Sequence, residues 1–275
     1  MTKQEYDNEK VIFGLADSGL TMANPHRQTI HFFKKHIESL GMKKELKILD
    51  VGCGAGSKTK MLKKIFPGFT FLGCDVSKKA INYANKNSSG IKFFVANAQK
   101  LPIGTNSIDV VIAQSVLDHL ESPEKGMSEV YRVLKKGGTF LFTDPLEAGT
   151  LTIHSFFTRF IPGFREMRKN RLGHTIAFSE KDLLKMAKKD GFRIVTRTID
   201  WFYFKQIVDI VYYPFLMFFG KGPEFTVDKL ISNKKTFTSK FLDILRSLEA
   251  FIENLESELM RGFPYGFFIY VRAKK

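Results

Sequence analysis

The sequence predicts an α/β fold in which a doubly wound, mostly parallel sheet of seven strands carries helices on both faces. Three observations predict it. Short apolar runs alternate with helical stretches, the spacing of βαβ units. The first such run, Leu46 to Val51, ends in glycines at 52, 54 and 56, as a buried parallel strand does on turning into a helix. The chain has 275 residues, 44% of them hydrophobic, enough for one full core with an elaboration, and it shows no internal repeat or low-complexity linker.

The elements follow in order. Asn24-Pro25 reads as an N-cap with proline at the first helical position, so a helix is expected from Pro25 to Leu40. After the strand Leu46–Val51, a helix from Lys58 to Phe66 is stopped by Pro67-Gly68. Phe69 to Cys74 is the second strand, and Ser77 caps a helix to Lys86. Ile91 to Ala96 and Ile108 to Ala113 are the third and fourth strands. A helix over Pro123–Lys136 is expected to close at Gly137-Gly138, before a fifth strand over Thr139–Thr143. Ser179 and Asp182 form a capping box for a helix to Lys189. Phe192–Ile199 and Phe267–Arg272 complete the sheet. Right-handed crossovers then place a ligand crevice at the carboxyl ends of the strands.

Residues 201–265 break the alternation. Trp201 to Phe219 is apolar apart from Lys205, Asp209 and Pro214. From Phe237 to Met260 apolar residues recur at three- and four-residue steps, an amphipathic stripe. The expected organisation is N-terminal helices over 1–45, an α/β core over 46–200 and 266–275, and an apolar helical cap over 201–265, inserted before the last strand.

Lys and Arg number 43 against 28 Asp and Glu, a net charge of +15. Such a balance suits anionic partners. The lysines, however, come in scattered pairs, among them Lys34-Lys35, Lys78-Lys79 and Lys188-Lys189, which is the pattern of solvated helix faces. Arg165, Arg168, Lys169 and Arg171 are the one denser patch. A nucleic-acid partner is not expected; peripheral contact with a membrane surface stays open. The first forty residues hold no apolar run longer than Val11-Ile12-Phe13, and no stretch reaches the length of a spanning helix. A cytoplasmic address is therefore expected. Cys53 and Cys74 do not make a disulfide scaffold. No metal-ligand spacing is present.

The segment Leu49-Asp50-Val51-Gly52-Cys53-Gly54-Ala55-Gly56 carries the chemistry. Its glycines let the backbone turn tightly and approach a ligand. Asp50 stands where a dinucleotide-binding strand is normally apolar, a place from which a carboxylate meets a cationic group such as an amino-acid ammonium. Asp75 follows Gly56 by nineteen residues at the end of the next strand, the position from which a carboxylate accepts ribose hydroxyls.

In order and spacing, these residues resemble the motifs of class I S-adenosylmethionine-dependent methyltransferases, most closely the small-molecule branch called type 11. Gly73 to Ser77 resembles the second motif. Ala96-Asn97-Ala98-Gln99 with Leu101-Pro102-Ile103 resembles the third, and Ser107 to Val111 with Asp118-His119-Leu120 the fourth. Glu129 to Leu134 with Lys136-Gly137-Gly138 resembles the turn before strand five. The resemblance implies a Rossmann-like methyltransferase fold and S-adenosyl-L-methionine as cofactor. It implies that Gly52, Cys53, Gly54 and Ala55 line the methionine part through the backbone, with Gly56 also in the cofactor-binding loop, and that Asp50 supports the loop and the cofactor's amino group. Asp75 would bind the ribose, Val76 would pack on the adenine, Asn97 and Ala98 would lie at its edge, and Gln114 would touch the cofactor. The family usually has aspartate at 97, where this chain has asparagine; its carbonyl oxygen can still accept from the adenine amino group.

The acceptor expected on this branch is a small, apolar or lipid-like molecule. Alternatives are an RNA or protein methyltransferase, favoured by the charge, and a non-catalytic scaffold that binds S-adenosylmethionine. Against the first, Ala113-Gln114-Ser115-Val116 lacks the Asn/Asp-Pro-Pro-aromatic signature of many amino-group methyltransferases. No catalytic residue is assigned; His119 is a candidate base, with His174 a further one. Oligomeric state is not read from the sequence.

Overall fold

The computed structural model describes residues 27–41, 45–146, 176–200 and 268–275, together with Phe160. Their elements are α1 (Arg27–Glu38), β1 (Lys47–Val51), α2 (Ser57–Ile65), β2 (Thr70–Asp75), α3 (Lys78–Lys86), β3 (Ile91–Val95) and β4 (Ile108–Gln114). A 3-10 turn (Leu117–His119), α4 (Pro123–Val133), β5 (Leu134–Pro145), α5 (Glu180–Lys189), β6 (Arg193–Asp200) and β7 (Phe268–Lys274) follow. The cap expected over 201–265, the Arg165–Arg171 patch, His174 and the Asn24-Pro25 cap lie outside the described residues.

The seven strands form one sheet in the order β3-β2-β1-β4-β5-β7-β6. Its first five strands run parallel, and β7 lies antiparallel between β5 and β6, with Val271 opposite both Phe142 and Arg197. Chain order reverses direction between β1 and β4, so a ligand crevice belongs at their carboxyl ends. Both faces are covered, which is why β1 is buried at four of five positions. On one face α1 sets Ile30, Phe33 and Ile37, spaced three and four apart, against Ile48, Val110, Ile112 and Leu141, and α2 adds Leu62, with Phe66 just past its end. On the other, α4 (Met127, Val130, Val133) and α5 (Leu183, Met186, Ala187) cover Leu49, Val111, Phe140 and Phe142.

The expected caps form. Ser77 Oγ accepts from Ala80 N–H at 3.2 Å, and Ser179 and Asp182 make the reciprocal capping box. One boundary differs. The helix expected to reach Lys136 ends at Val133, because Leu134, fully buried, already pairs with Ile108 in the sheet. Gly137 and Gly138 consequently do not cap it; their backbones exchange hydrogen bonds with Lys275 at 3.0 and 3.1 Å, at the end of β7. Pairing with a strand more than a hundred residues away overrides the local glycine signal.

An acid-sensitive contact joins α1 to β7. Arg272 Nη1 lies 3.4 Å from His36 Nδ1 and donates to Ser39 Oγ at 3.0 Å. Burial, then the charges of Arg272 and Lys35, lower the His36 pKa from 6.5 to about 4. The unfolded chain takes up this proton near pH 6.5 and the folded chain only near 4, so stability falls as pH drops through that window and is unaffected above it. For this partly exposed ring the loss should be about 1 kcal/mol after solvent screening. Urea midpoints compared at pH 7.5 and pH 5 should show it, and His36→Gln should remove that part of the decline; an unchanged decline in the variant would rule out His36 as its source.

Candidate cofactor site

β1 delivers the glycine loop. Val51 ends the strand, and the backbone reverses through Gly52 (φ 67°) and Gly54 (φ 53°) before Gly56 starts α2. Substitution has no room at two of these positions. A Cβ on Gly52 would run into Val116 Cγ2, and one on Gly56 would sit 2.7 Å from Phe93 Cζ. The loop thus presents bare backbone at the carboxyl end of the central strand, the cradle that a methionine moiety requires. Cys53 N–H donates to Cys74 O at 3.0 Å, tying the loop to β2. Both cysteines are buried free thiols whose pKa values burial pushes up, the state of inert packing residues.

Asp75, at the end of β2, faces the loop. Its Oδ2 accepts from Gly54 N–H and its Oδ1 from Ser77 N–H, both at 2.9 Å. The carboxylate is pinned between the glycine loop and the start of α3, where it can still offer lone pairs to two hydroxyls. Burial raises its pKa, against the pull of the Ser77 and Gly54 N–H groups. Ala96 N–H donates to Asp75 O at 2.9 Å, which places the third motif beside it. Val76 and Ala98 are half-buried at this edge and available for packing on a base.

Asp50 is fully buried, and the structure gives it partners from its own chain. Thr59 Oγ1 donates to Oδ2 at 2.6 Å, and Lys58 Nζ lies 3.1 Å from Oδ1, with the lysine side chain 8% exposed. Burial raises the Asp50 pKa; the Lys58 charge and the Thr59 hydroxyl work against it. The cation that meets Asp50 in the structure is therefore Lys58 of the first turn of α2. Lys58 and Thr59 were not singled out from sequence, although both stand within three residues of the last glycine, in the first turn of α2.

Past β4, Gln114 is half-buried and Ser115 takes a positive φ of 49°, its N–H donating to Thr143 O at 2.7 Å. That bend carries Val116 onto Gly52 and leads into the turn Leu117–His119. His119 Nε2 lies 3.9 Å from Asp118 Oδ2. Asp118 and Asp144, from the end of β5, are both buried, at 1% and 0% exposure, and Asp144 Oδ1 accepts from Leu117 N–H at 3.1 Å. Burial and then the Asp118 charge push the Asp144 carboxyl well above the usual carboxylate range. Asp144 was missed in sequence, yet it carries the same signal as Asp50 and Asp75: a carboxylate at the end of an apolar strand. Among the described residues no His, Cys, Asp and Glu cluster could hold a metal ion.

Comparison with known proteins agrees with this geometry. Residues 49–142 match the family described as methyltransferase domain. A Campylobacter jejuni ubiquinone/menaquinone biosynthesis C-methyltransferase is 34% identical over 112 residues, covering 38% of this chain and 46% of the relative. A Mycolicibacterium smegmatis fatty-acid O-methyltransferase is 33% identical over 100 residues, 36% of either chain. The chain thus spans less than half the length of these relatives. Among solved structures, Haemonchus contortus phosphoethanolamine N-methyltransferase 2, in complex with phosphomonomethylethanolamine and S-adenosylhomocysteine, superposes with a TM-score of 0.64 at 18% identity, over 99% of this chain and 60% of that one, a likeness of fold. Residues 49–142 are a methyltransferase domain of the class I, S-adenosylmethionine-dependent type 11 family.

Proposed function

We propose that this protein transfers the methyl group of S-adenosylmethionine to a small, apolar or lipid-like acceptor. The observation that carries the cofactor half is the bare glycine loop with the Asp75 carboxylate pinned 2.9 Å from Gly54 N. When bound, the cofactor supplies an electrophilic methyl group on a sulfonium. The chain's task is then to hold an acceptor in line with it and to keep water out. Gly52 to Gly56 would cradle the methionine part, Asp75 the ribose, and Val76 and Ala98 the base. An oxygen acceptor needs a base, and His119 is the candidate.

The acceptor half rests on composition and on the relatives, whose names specify quinone and fatty-acid substrates. Phe202, Phe204, Ile207, Val208, Ile210 and Val211 are too apolar for one solvated helix face. In this reading residues 201–265 form a cap that lines the acceptor pocket. The net charge of +15 favours peripheral contact with an anionic membrane from which such an acceptor could be drawn. Among the described residues no helix is long and apolar enough to cross a membrane.

Calorimetry with S-adenosylhomocysteine is expected to show one site per chain. Labelled S-adenosylmethionine should then methylate oleate or a short-chain demethylmenaquinol. No heat at high-micromolar ligand overturns the cofactor reading; binding without transfer to either probe, alongside transfer to a polar amine such as sarcosine, overturns the acceptor class.

A further inference from the structure

Asn97 departs from the aspartate usual at its position, and its surroundings decide what that departure does. Its Oδ1 accepts from Gln99 N–H at 2.8 Å and from Gln99 Nε2 at 3.4 Å. Gln99 is itself held: its Oε1 accepts from Ser122 N–H at 2.9 Å, which fixes the direction of its amide and aims the Nε2 end at Asn97. The Asn97 backbone is locked too, its carbonyl accepting from Lys100 N–H at 2.9 Å. Both lone-pair directions of the side-chain oxygen therefore meet donors from within the loop. What an exposed Asn97 has left to offer a ligand is the amide NH2, a donor. An aspartate in the same turn would keep a second oxygen, an acceptor, for the 6-amino group of adenine.

Resting on the cofactor reading above, we propose that Asn97 sets a distinct base specificity: it donates its amide N–H to a ring nitrogen of the adenine and leaves the 6-amino group unrecognised at this position. A donor placed at that edge gains nothing from an amino group, which is also a donor, and pairs instead with an acceptor such as N1. Deleting the 6-amino group should then cost this chain little, because no buried acceptor is left without its partner. The mutation Asn97→Asp should create the dependence, since one carboxylate oxygen can take the Gln99 N–H and the other is left needing a donor.

The test compares the dissociation constants of S-adenosylhomocysteine and its 6-desamino analogue, the purine riboside of homocysteine, by calorimetry on the full chain. The wild-type protein is expected to bind the two within about threefold of each other, and N97D to prefer the amino compound by at least about tenfold, the range of one hydrogen bond to a charged group. A wild-type preference of tenfold or more for the amino compound overturns the inference while leaving the cofactor reading intact. So does an N97D variant, folded by circular dichroism, whose ratio matches the wild type. Failure of either compound to bind overturns the cofactor reading and this inference together. The wild-type ratio alone decides the matter if N97D does not fold.

Discussion

Replacing Lys58 with methionine is expected to destabilise the fold by about 3–5 kcal/mol, the range for leaving one member of a buried ion pair without its counter-charge. Asp50 has 0% exposure, and its Oδ1 meets Lys58 Nζ at 3.1 Å. With the ammonium gone, Thr59 Oγ1 still donates to Oδ2, but one hydrogen bond does not offset a buried charge. The loss should shrink as pH falls, since a carboxyl whose folded pKa is raised by burial binds a proton that the unfolded chain does not hold at the same pH. The double variant Asp50→Asn/Lys58→Met should recover most of the loss, because it removes both charges and keeps the amide oxygen for Thr59. Urea unfolding of the four proteins measures the cycle. A Lys58→Met protein within about 1 kcal/mol of wild type would mean that the pair is not closed in solution.

Replacing Asp75 with alanine is expected to weaken binding of S-adenosylhomocysteine by about 1.5–3 kcal/mol, about ten- to hundredfold. Two effects add. In the proposed role the ribose hydroxyls lose their carboxylate acceptor, and Gly54 N–H loses its side-chain partner in the glycine loop. Ser77 N–H is also released, although Ser77 Oγ still caps α3 through Ala80 N–H, so the helix start should survive. Calorimetry on the folded variant reads the effect. Full affinity in Asp75→Ala would remove Asp75 from the ribose role and leave it as a cap for the glycine loop and α3 alone.

Most of what the sequence by itself determined is local or periodic. The central strands β1, β4 and β5 are buried along most of their length and so read as largely apolar runs, and Ser77 and Ser179 cap with hydroxyls that reach only three residues ahead. The glycine loop is legible for the same reason: close approach and positive φ demand glycine at particular positions, and Gly52 and Gly56 meet that demand against Val116 and Phe93. Tertiary structure decided what depends on pairing across long separations. Leu134 left helix α4 because its place opposite Ile108 buries it, and β7 came to lie antiparallel between β5 and β6, a placement no single strand announces. The functional carboxylates show the same division. Their positions at strand ends stand in the sequence, but which cation or N–H each one meets is set by the first turn of α2, the start of α3 and the turn after β4. Asn97 is the sharpest instance. The residue type leaves donor and acceptor equally available, and only the clamp of Gln99 on its oxygen, held in turn by Ser122 some twenty residues away, chooses between them.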